Sequence, residues 1–322
     1  CNLIEWLIFE EEYYRAQAPL RVNQNGIFLL GPTLMEYGSN EQKARFISKM
    51  ASGDEIWAQG WSEPGAGSDM AAIRSTALRD GDDYVINGQK VWSTRAVFAD
   101  WVFCIFRTDP ESSRHRGLSF VFVPLDAEGV TVRPIEQLNG LPGFAEIFFD
   151  NVRVPVFNRL GEEGEGWKIA MSTAGFERGL MLRSPARFQQ SARRLVELYR
   201  QKRHDILDLS IEDSVVRCYM DAEAYALSTY QTASRLMAGG SIGPESSCNK
   251  IFWSELDLNI YSTAMSLLGA RAEILPESED ASDELGNWLD GFLFAQSGPI
   301  YAGTNEIQRN IIAERMLEMP RA

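Results

Sequence analysis

The sequence predicts an α+β protein: an N-terminal helical domain, a middle antiparallel β-domain and a C-terminal four-helix bundle. Three observations carry this expectation. Apolar residues recur at helical spacing up to residue 53. From Ile56 to about Val156 the period falls to two, in short β-rich runs with Gly, Pro or Asp between most of them. After Gly-Glu-Glu-Gly-Glu-Gly-Trp the helical period returns in long segments. The expected domains are therefore 1–54, 55–160 and 161–322, and 322 residues suffice for a substantial core.

The elements follow in order. Leu3, Leu7, Ile8 and Tyr14 give residues 2–17 an apolar face against the acidic run Glu10-Glu11-Glu12, and Pro19 ends that helix. A second helix is expected from Gly26 to Tyr37, closed by Gly38. Ser39 and Gln42 have capping-box spacing, so a third helix starts there and stops near Gly53. Strands are expected at 56–62 and in the runs IRSTALR, DYVIN, KVWST, WVFCIFR, LSFVFVP, VTVR and AEIFFDN. Asp80-Gly81 and Asn87-Gly88 are dipeptides that tolerate positive φ, and both are expected to be hairpin turns. Helices are expected at 166–203, 211–238, 245–269 and 303–317, with loops at 239–244 and 276–283. The clearest stripe is Ile211, Val215, Cys218, Ala222, Tyr225, Thr229 and Leu236.

Composition excludes several function classes. Forty-five acidic against 31 basic residues give a net charge of −14, which argues against a nucleic-acid partner and suits a cytoplasmic protein. No apolar run reaches membrane-spanning length, so no membrane insertion is expected. Cys1, Cys104, Cys218 and Cys248 lie far apart and read as reduced core residues. With only His115 and His204 available, a histidine metal site or a Ser-His-Asp triad is not expected. Gly65-Ala66-Gly67 is no dinucleotide fingerprint, because Met70 stands where the third glycine belongs.

The chemistry concentrates between Trp57 and Thr94. A strand runs into a turn where Pro64 fixes a backbone angle and Gly65 and Gly67 allow close approach. Ser62 and Ser68 place hydroxyls around backbone N–H groups, a cradle suited to a polar, ring-shaped or phosphorylated ligand. The stretch then returns through QKVWST, bringing Trp92 and Thr94 toward its start.

Ser-Glu-Pro-Gly-Ala-Gly-Ser-Asp followed at this distance by Asn-Gly-Gln-Lys-Val-Trp-Ser-Thr resembles the middle domain of the acyl-CoA dehydrogenase family, and the resemblance extends from about Glu10 to the C-terminus. It implies FAD as cofactor, with Gln59, Trp61, Ser62 and Ser68 in the first flavin-holding segment and Trp92 and Thr94 in the second. Thr304 and Glu306, in the C-terminal YAGTNEIQRNIIAER, match positions that contact FAD. Family members carry further N-terminal helices, so a chain beginning at Cys1 is expected to lack its N-terminus.

The family's reaction takes a proton from the carbon alpha to a thioester while a hydride leaves the beta carbon, giving a 2,3-enoyl-CoA. A carboxylate must reach that proton, and donors must stabilise the developing enolate oxygen. Many members carry the base as Glu in a Tyr-Glu-Gly-Thr segment; here Tyr301-Ala302-Gly303-Thr304 puts alanine in its place. A second branch carries it in a Glu-Arg pair soon after the β-domain, which Glu177-Arg178 matches. The resemblance makes Glu177 the candidate general base, with Ser68, Arg178, Ala302 and Gly303 on the substrate side. From the residues alone, Glu177 also reads as a solvated glutamate on a helix face. Gly175, Gly179 and Ala302 hint at room for a bulky or branched acyl group.

The implied partners are an acyl-CoA substrate, an electron-transfer flavoprotein as acceptor, and a homologous subunit in a homo- or hetero-oligomer. Two family features are missing. The Arg-x-Thr-Phe-Gly segment is replaced within LYRQKRHDIL, and the Gly-Gly-x-Gly turn by Gly269-Ala270-Arg271-Ala272. Both serve the adenosine half of a neighbour's FAD, which favours a heteromeric arrangement. Two alternatives stay open: a non-catalytic or half-site subunit of a heteromeric acyl-CoA dehydrogenase, and an acyl-CoA oxidase or flavin monooxygenase of the same fold.

Overall fold

The computed structural model describes residues 2–19, 21–178, 184–204, 210–274 and 283–320. Cys1, Gly179, residues 205–209 and most of the expected loop at 276–283 lie outside the described residues. Two compact units form, one of residues 20–177 and one of residues 1–19 with 178–322. The first helix, α1 (Leu3–Arg15), belongs to the second of these units. Asn2 caps it: its side chain accepts from the Glu5 N–H at 2.9 Å, and the Glu5 carboxylate accepts from the Asn2 N–H at 2.8 Å.

In the 20–177 unit, the expected Gly26–Tyr37 helix is a π-helical turn (Asn25–Leu30) running into α2 (Gly31–Tyr37). The Ser39–Gln42 capping box is present at the start of α3 (Asn40–Ser52), which ends on Gly53 at φ 83°. Gln42 does double duty. Its Nε2 donates to the carbonyls of Phe157 (2.7 Å) and Arg159 (2.8 Å), fastening α3 to the end of the β-domain. Phe46 of α3 then sits edge-on to Trp57, Trp101 and Phe122, each at 5.4 Å between ring centroids.

Among the described residues eight strands make one sheet: β1 (Trp57–Gly60), β2 (Thr76–Asp80), β3 (Asp83–Thr94), β4 (Trp101–Arg107), β5 (Leu118–Pro124), β6 (Val130–Glu136), β7 (Pro142–Pro155) and β8 (Arg159–Leu160). Their order is β6-β7-β3-β2-β4-β5-β8, with β1 beside β4. Pairing is antiparallel except where β1 and the first residue of β2, Thr76, run parallel to β4. Alternation does what the period-two pattern requires: Ala77, Tyr84, Ile86, Phe106, Ile147, Phe149 and Val152 bury in one core. α4 (Gly166–Arg178) closes the unit, its Thr173 hydroxyl 2.9 Å from that of Thr33 on α2.

The hairpin expected at Asp80-Gly81 exists, with Gly81 at φ 64°. The one expected at Asn87-Gly88 does not. Strand β3 runs straight through, and Gly88 (φ 141°) marks a register shift against β7. A β-bulge demands the same permissive backbone as a turn, so the dipeptide alone does not separate them. The long partner β7 decides, because it pairs with both halves of β3. A Cβ at Gly88 would also lie 2.7 Å from the Ser75 Cα. That close approach lets the Ser75 hydroxyl accept from the Gln89 N–H (3.1 Å) and donate to the Gln89 carbonyl (3.2 Å).

The other unit holds α5 (Pro185–Lys202), α6 (Ser210–Met237), α7 (Ser246–Leu268), α8 (Asp283–Ala295) and α9 (Asn305–Ile311), which runs on as a π-helical turn to Met316. The single helix expected at 166–203 is two. Ser184 leaves helical geometry (φ −55°, ψ 130°), and Pro185, lacking an N–H, starts α5. Helix α8 escaped the periodicity reading; Trp288 anchors it, and Gly291 clears the Tyr261 ring, whose Cδ1 would lie 2.7 Å from a Cβ. In the α6 stripe Val215, Cys218, Ala222, Tyr225 and Thr229 are buried as expected. Cys104 and Cys218 are buried, whereas Cys248, expected in the core, is exposed in the first turn of α7, its Sγ 3.9 Å from Met316 Sδ. Among the described residues no helix is long and apolar enough to cross a membrane.

The variant Gly88→Ala is expected to lose about 1–3 kcal/mol, from a strained φ and a collision with Ser75. Gly65→Ala, with nothing within 4 Å of the added carbon, should change stability far less. Denaturant unfolding of both variants checks the contrast.

Candidate functional site

The cradle is built from the end of β1 outward. Past Gly60 the chain buries Trp61 edge-on against Phe103 (6.3 Å) and Phe120 (6.4 Å). Glu63 and Ala66 then exchange backbone hydrogen bonds of 3.1 and 3.0 Å, closing a tight turn whose corner is Pro64-Gly65. Beyond it Gly67, Ser68 and Asp69 are exposed, and a 3₁₀ turn (Met70–Ala72) carries the chain toward β2.

One buried ion pair holds this turn. The Glu63 carboxylate accepts from the N–H groups of Arg74 (2.8 Å) and Ser75 (3.0 Å) and from Lys90 Nζ (2.8 Å). Lys90, on β3, has no solvent exposure and also donates to the carbonyls of Ile105 (2.7 Å) and Trp61 (3.4 Å). Burial pushes the Glu63 carboxyl up, but the Lys90 charge and the hydrogen bonds outweigh it and hold the group below its ordinary range. Burial likewise lowers Lys90, with Glu63 opposing. The sequence reading passed over both residues. The sequence signal was slight, a lone lysine followed by Val91-Trp92 in a β-rich run; its burial, which calls for a counter-charge, is seen only in the fold.

Strand β3 brings back the second half. The Val91 N–H donates to the Ser62 carbonyl at 2.9 Å, so QKVWST does return to the start of the stretch, without the second hairpin. A register shift between Lys90 and Ser93 then turns Trp92 out of the sheet, at φ 61° and 60% exposed. Its indole is edge-on to Phe144 at 6.3 Å, and Phe144 is the strand partner of Thr94. A left-handed conformation costs a bulky residue about 1–3 kcal/mol, so the bulge spends stability to display this ring.

The expected site residues are placed as follows. Gln59, Ser62 and Thr94 are half-buried, Trp61 is buried, and Ser68 and Trp92 are exposed, all on the 20–177 unit. Glu177 and Arg178 belong to α4 by their backbone; their side chains lie outside the described residues. On the other unit, Ala302 (φ 58°) and Gly303 (φ 79°) form a left-handed turn, fixed by Gln308 Nε2 donating to both carbonyls at 3.3 and 3.1 Å. The Thr304 hydroxyl caps α9 by accepting from the Ile307 N–H at 3.2 Å. Glu306 is exposed in the first turn of α9, and hydrogen bonds from its own backbone and the Thr304 hydroxyl hold its carboxyl below the ordinary range.

These residues fit the flavin that the resemblance implies. The cradle displays an aromatic ring and the hydroxyls of Ser62, Ser68 and Thr94, and open space lies over Gly65 and Gly67. Trp61 Nε1 and Ser93 Oγ are buried without a hydrogen-bond partner among the described residues. Unsatisfied buried donors of this kind call for a partner that the chain itself does not supply.

Three family models match the chain: the acyl-CoA dehydrogenase N-terminal domain over residues 1–54, the middle domain over 58–152 and the C-terminal domain over 164–317. Acyl-CoA dehydrogenase IpdE1 of Mycobacterium tuberculosis is 41% identical over 317 residues, covering 97% of this chain and 80% of the relative. The chain belongs to the acyl-CoA dehydrogenase family. Acyl-CoA dehydrogenase FadE26 of the same organism is 37% identical over 338 residues, covering 100% of this chain and 82% of that one. Among solved structures, the ChsE4-ChsE5 complex from Mycobacterium tuberculosis superposes with a TM-score of 0.85 at 35% identity, covering 100% of this chain and 84% of that chain. The Tcur3481-Tcur3483 steroid ACAD gives 0.89 at 30% identity, with 100% and 83% covered. As a member of this family the chain is an oxidoreductase of helical, β and helical domains in series.

Glu63→Gln leaves Lys90 buried without its counter-charge and is expected to cost about 3–5 kcal/mol in unfolding free energy. Because folding depresses the Glu63 carboxyl below its reference value of 4.5, its contribution is full above that pH and fades as pH falls through the folded value. Urea unfolding of wild type should therefore weaken below about pH 4.5, and the Glu63→Gln profile should be flatter there.

Proposed function

We propose that this chain is a catalytic subunit of an FAD-dependent acyl-CoA dehydrogenase, working beside a homologous subunit on a bulky acyl-CoA. The bulged display of Trp92 against a turn locked by the Glu63–Lys90 pair carries the reading, since a strained indole left 60% exposed gains little from its single edge contact with Phe144. Gln59, Trp61, Ser62, Ser68, Trp92 and Thr94 would hold the flavin from this unit, with Thr304 and Glu306 as further contacts. When bound, FAD supplies the acceptor for the hydride that leaves the beta carbon.

The chain's own residues do the proton chemistry. Glu177 takes the alpha proton, a step that needs a carboxylate within hydrogen-bonding reach and a donor set at the thioester oxygen. Arg178 steadies that site. Ala302 and Gly303, small and in a left-handed turn, leave space where other members carry a glutamate. That substitution and the Glu177-Arg178 pair belong together: one glutamate suffices, and its place is on α4.

A heteromeric assembly is supported by two observations. The segment that replaces the Gly-Gly-x-Gly turn is a 3₁₀ turn, Gly269–Glu273, with only Gly269 at positive φ. Two structures of the same fold are named as pairs of distinct chains. The name steroid ACAD also supports a bulky acyl group. Electrons would then pass to an electron-transfer flavoprotein, and a cytoplasmic location suits that exchange.

The expected result is a yellow protein, purified with its partner subunit, that bleaches on anaerobic titration with an acyl-CoA carrying a fused-ring acyl group. Glu177→Gln should keep the colour and slow bleaching by about a thousandfold. Unchanged bleaching by Glu177→Gln would identify a non-catalytic subunit, and a flavin-replete active homo-oligomer of this chain alone would remove the heteromer. Rapid reoxidation in air would point instead to the oxidase alternative.

A further inference from the structure

The start of α5 carries polar groups that neither the bundle nor the proposed proton chemistry uses. Ser184 stands at the N-cap position, yet its side chain makes no capping bond. It is 3% exposed, and its Oγ has no hydrogen-bond partner among the described residues. Three positions on, Arg187 donates through Nη2 to both carboxylate oxygens of Asp257 on α7, at 3.1 and 2.8 Å. Its Nη1 is buried and likewise lacks a partner among the described residues. Asp257 itself is almost fully buried.

The placement is costly in two ways. A guanidinium in the first turn of a helix faces the positive end of the macrodipole. Burial also works against its charge, and the Asp257 carboxylate, with Tyr261 and Tyr301 nearby, keeps it firmly protonated. One carboxylate satisfies one arm of the fork and leaves the other empty. Tyr301, which acts on the guanidinium charge, immediately precedes Ala302.

We propose that Ser184 and Arg187, at the start of α5, recognise an acceptor oxygen, a ketone or a carboxylate, carried by the acyl group of the substrate. The inference rests on the acyl-CoA reading. Two side chains there can donate, the guanidinium through its Nη1 hydrogens and the serine through its hydroxyl. A plain hydrocarbon chain would leave the Nη1 hydrogens unpaired, and sites built on buried donors reject ligands that lack the matching acceptor. Arg187 and Ser184 therefore determine specificity and take no part in proton removal.

The test measures binding with the flavin-loaded complex carrying Glu177→Gln, which separates affinity from turnover. Octanoyl-CoA, oxo-octanoyl-CoA and the mono-CoA ester of octanedioic acid are compared by calorimetry. An oxygenated ester should bind at least about tenfold more tightly than octanoyl-CoA. Adding Arg187→Lys, which keeps a cation for Asp257, or Ser184→Ala, which removes no hydrogen bond, should bring that ratio close to one. Thermal melts confirm folding, and Ser184→Ala keeps the test open should Arg187→Lys fail to fold. A parent ratio near one, a ratio that survives either variant, or no binding of any ester overturns the proposal. Selective binding combined with a wild-type complex that no ester bleaches would leave this recognition point standing and remove the dehydrogenase reading.

Discussion

A lysine ammonium with no access to water anchors the β-domain. Taking such a charge from solvent costs several kcal/mol, and only close, well-directed partners offset it. Lys90 has three: the Glu63 carboxylate and the carbonyls of Ile105 and Trp61. Through them one side chain on β3 ties together β4, the exit from β1 and the Pro64-Gly65 turn. Glu63 extends the same network to the backbone of Arg74 and Ser75, just before β2. The turn is thus held from below by charge-assisted hydrogen bonds, while Gly67 and Ser68 stay exposed beyond it.

The strain in β3 has a matching logic. Two register shifts interrupt its pairing with β7, one at Gly88 and one before Ser93. The first packs the strand against Ser75 and brings Gln89 into hydrogen-bonding reach. The second flips Trp92 to the surface while its neighbours Val91 and Ser93 stay buried. A regular strand would hold the indole in register with its neighbours along the ladder; the bulge re-aims it. Elsewhere in the sheet, Phe103 and Phe120 stack with centroids 5.7 Å apart, and Trp61 stands edge-on to both.

In the helical unit the same economy operates on a different scale. Apolar stripes from α5, α6, α7 and α8 fill the bundle, with Trp253 and Trp288 fully enclosed. Against that background a guanidinium bonded to a single buried carboxylate stands out. Replacing such a pair by hydrocarbon is often neutral or stabilising, so packing gives no reason to keep it. The open arm of Arg187 and the non-capping hydroxyl of Ser184 are among the buried polar atoms of this unit that the described residues leave without a hydrogen bond.

The sequence by itself determined the order of helices, sheet and bundle, the Ser39 cap and most of the inward stripe of α6. These are consequences of period, caps and short motifs, which act over a few neighbouring residues. What the tertiary structure decided acts over long separations. Whether Asn87-Gly88 turns or bulges depended on the length of β7, sixty residues away, because both outcomes use the same backbone freedom. Where the 166–203 helix breaks was written in Pro185, yet the helical period on either side masked it. The partner of Lys90 lies 27 residues earlier, and that of Arg187 is 70 residues later. A buried charge is legible in a sequence only as an oddity; its counter-charge becomes known when the chain folds and water is gone.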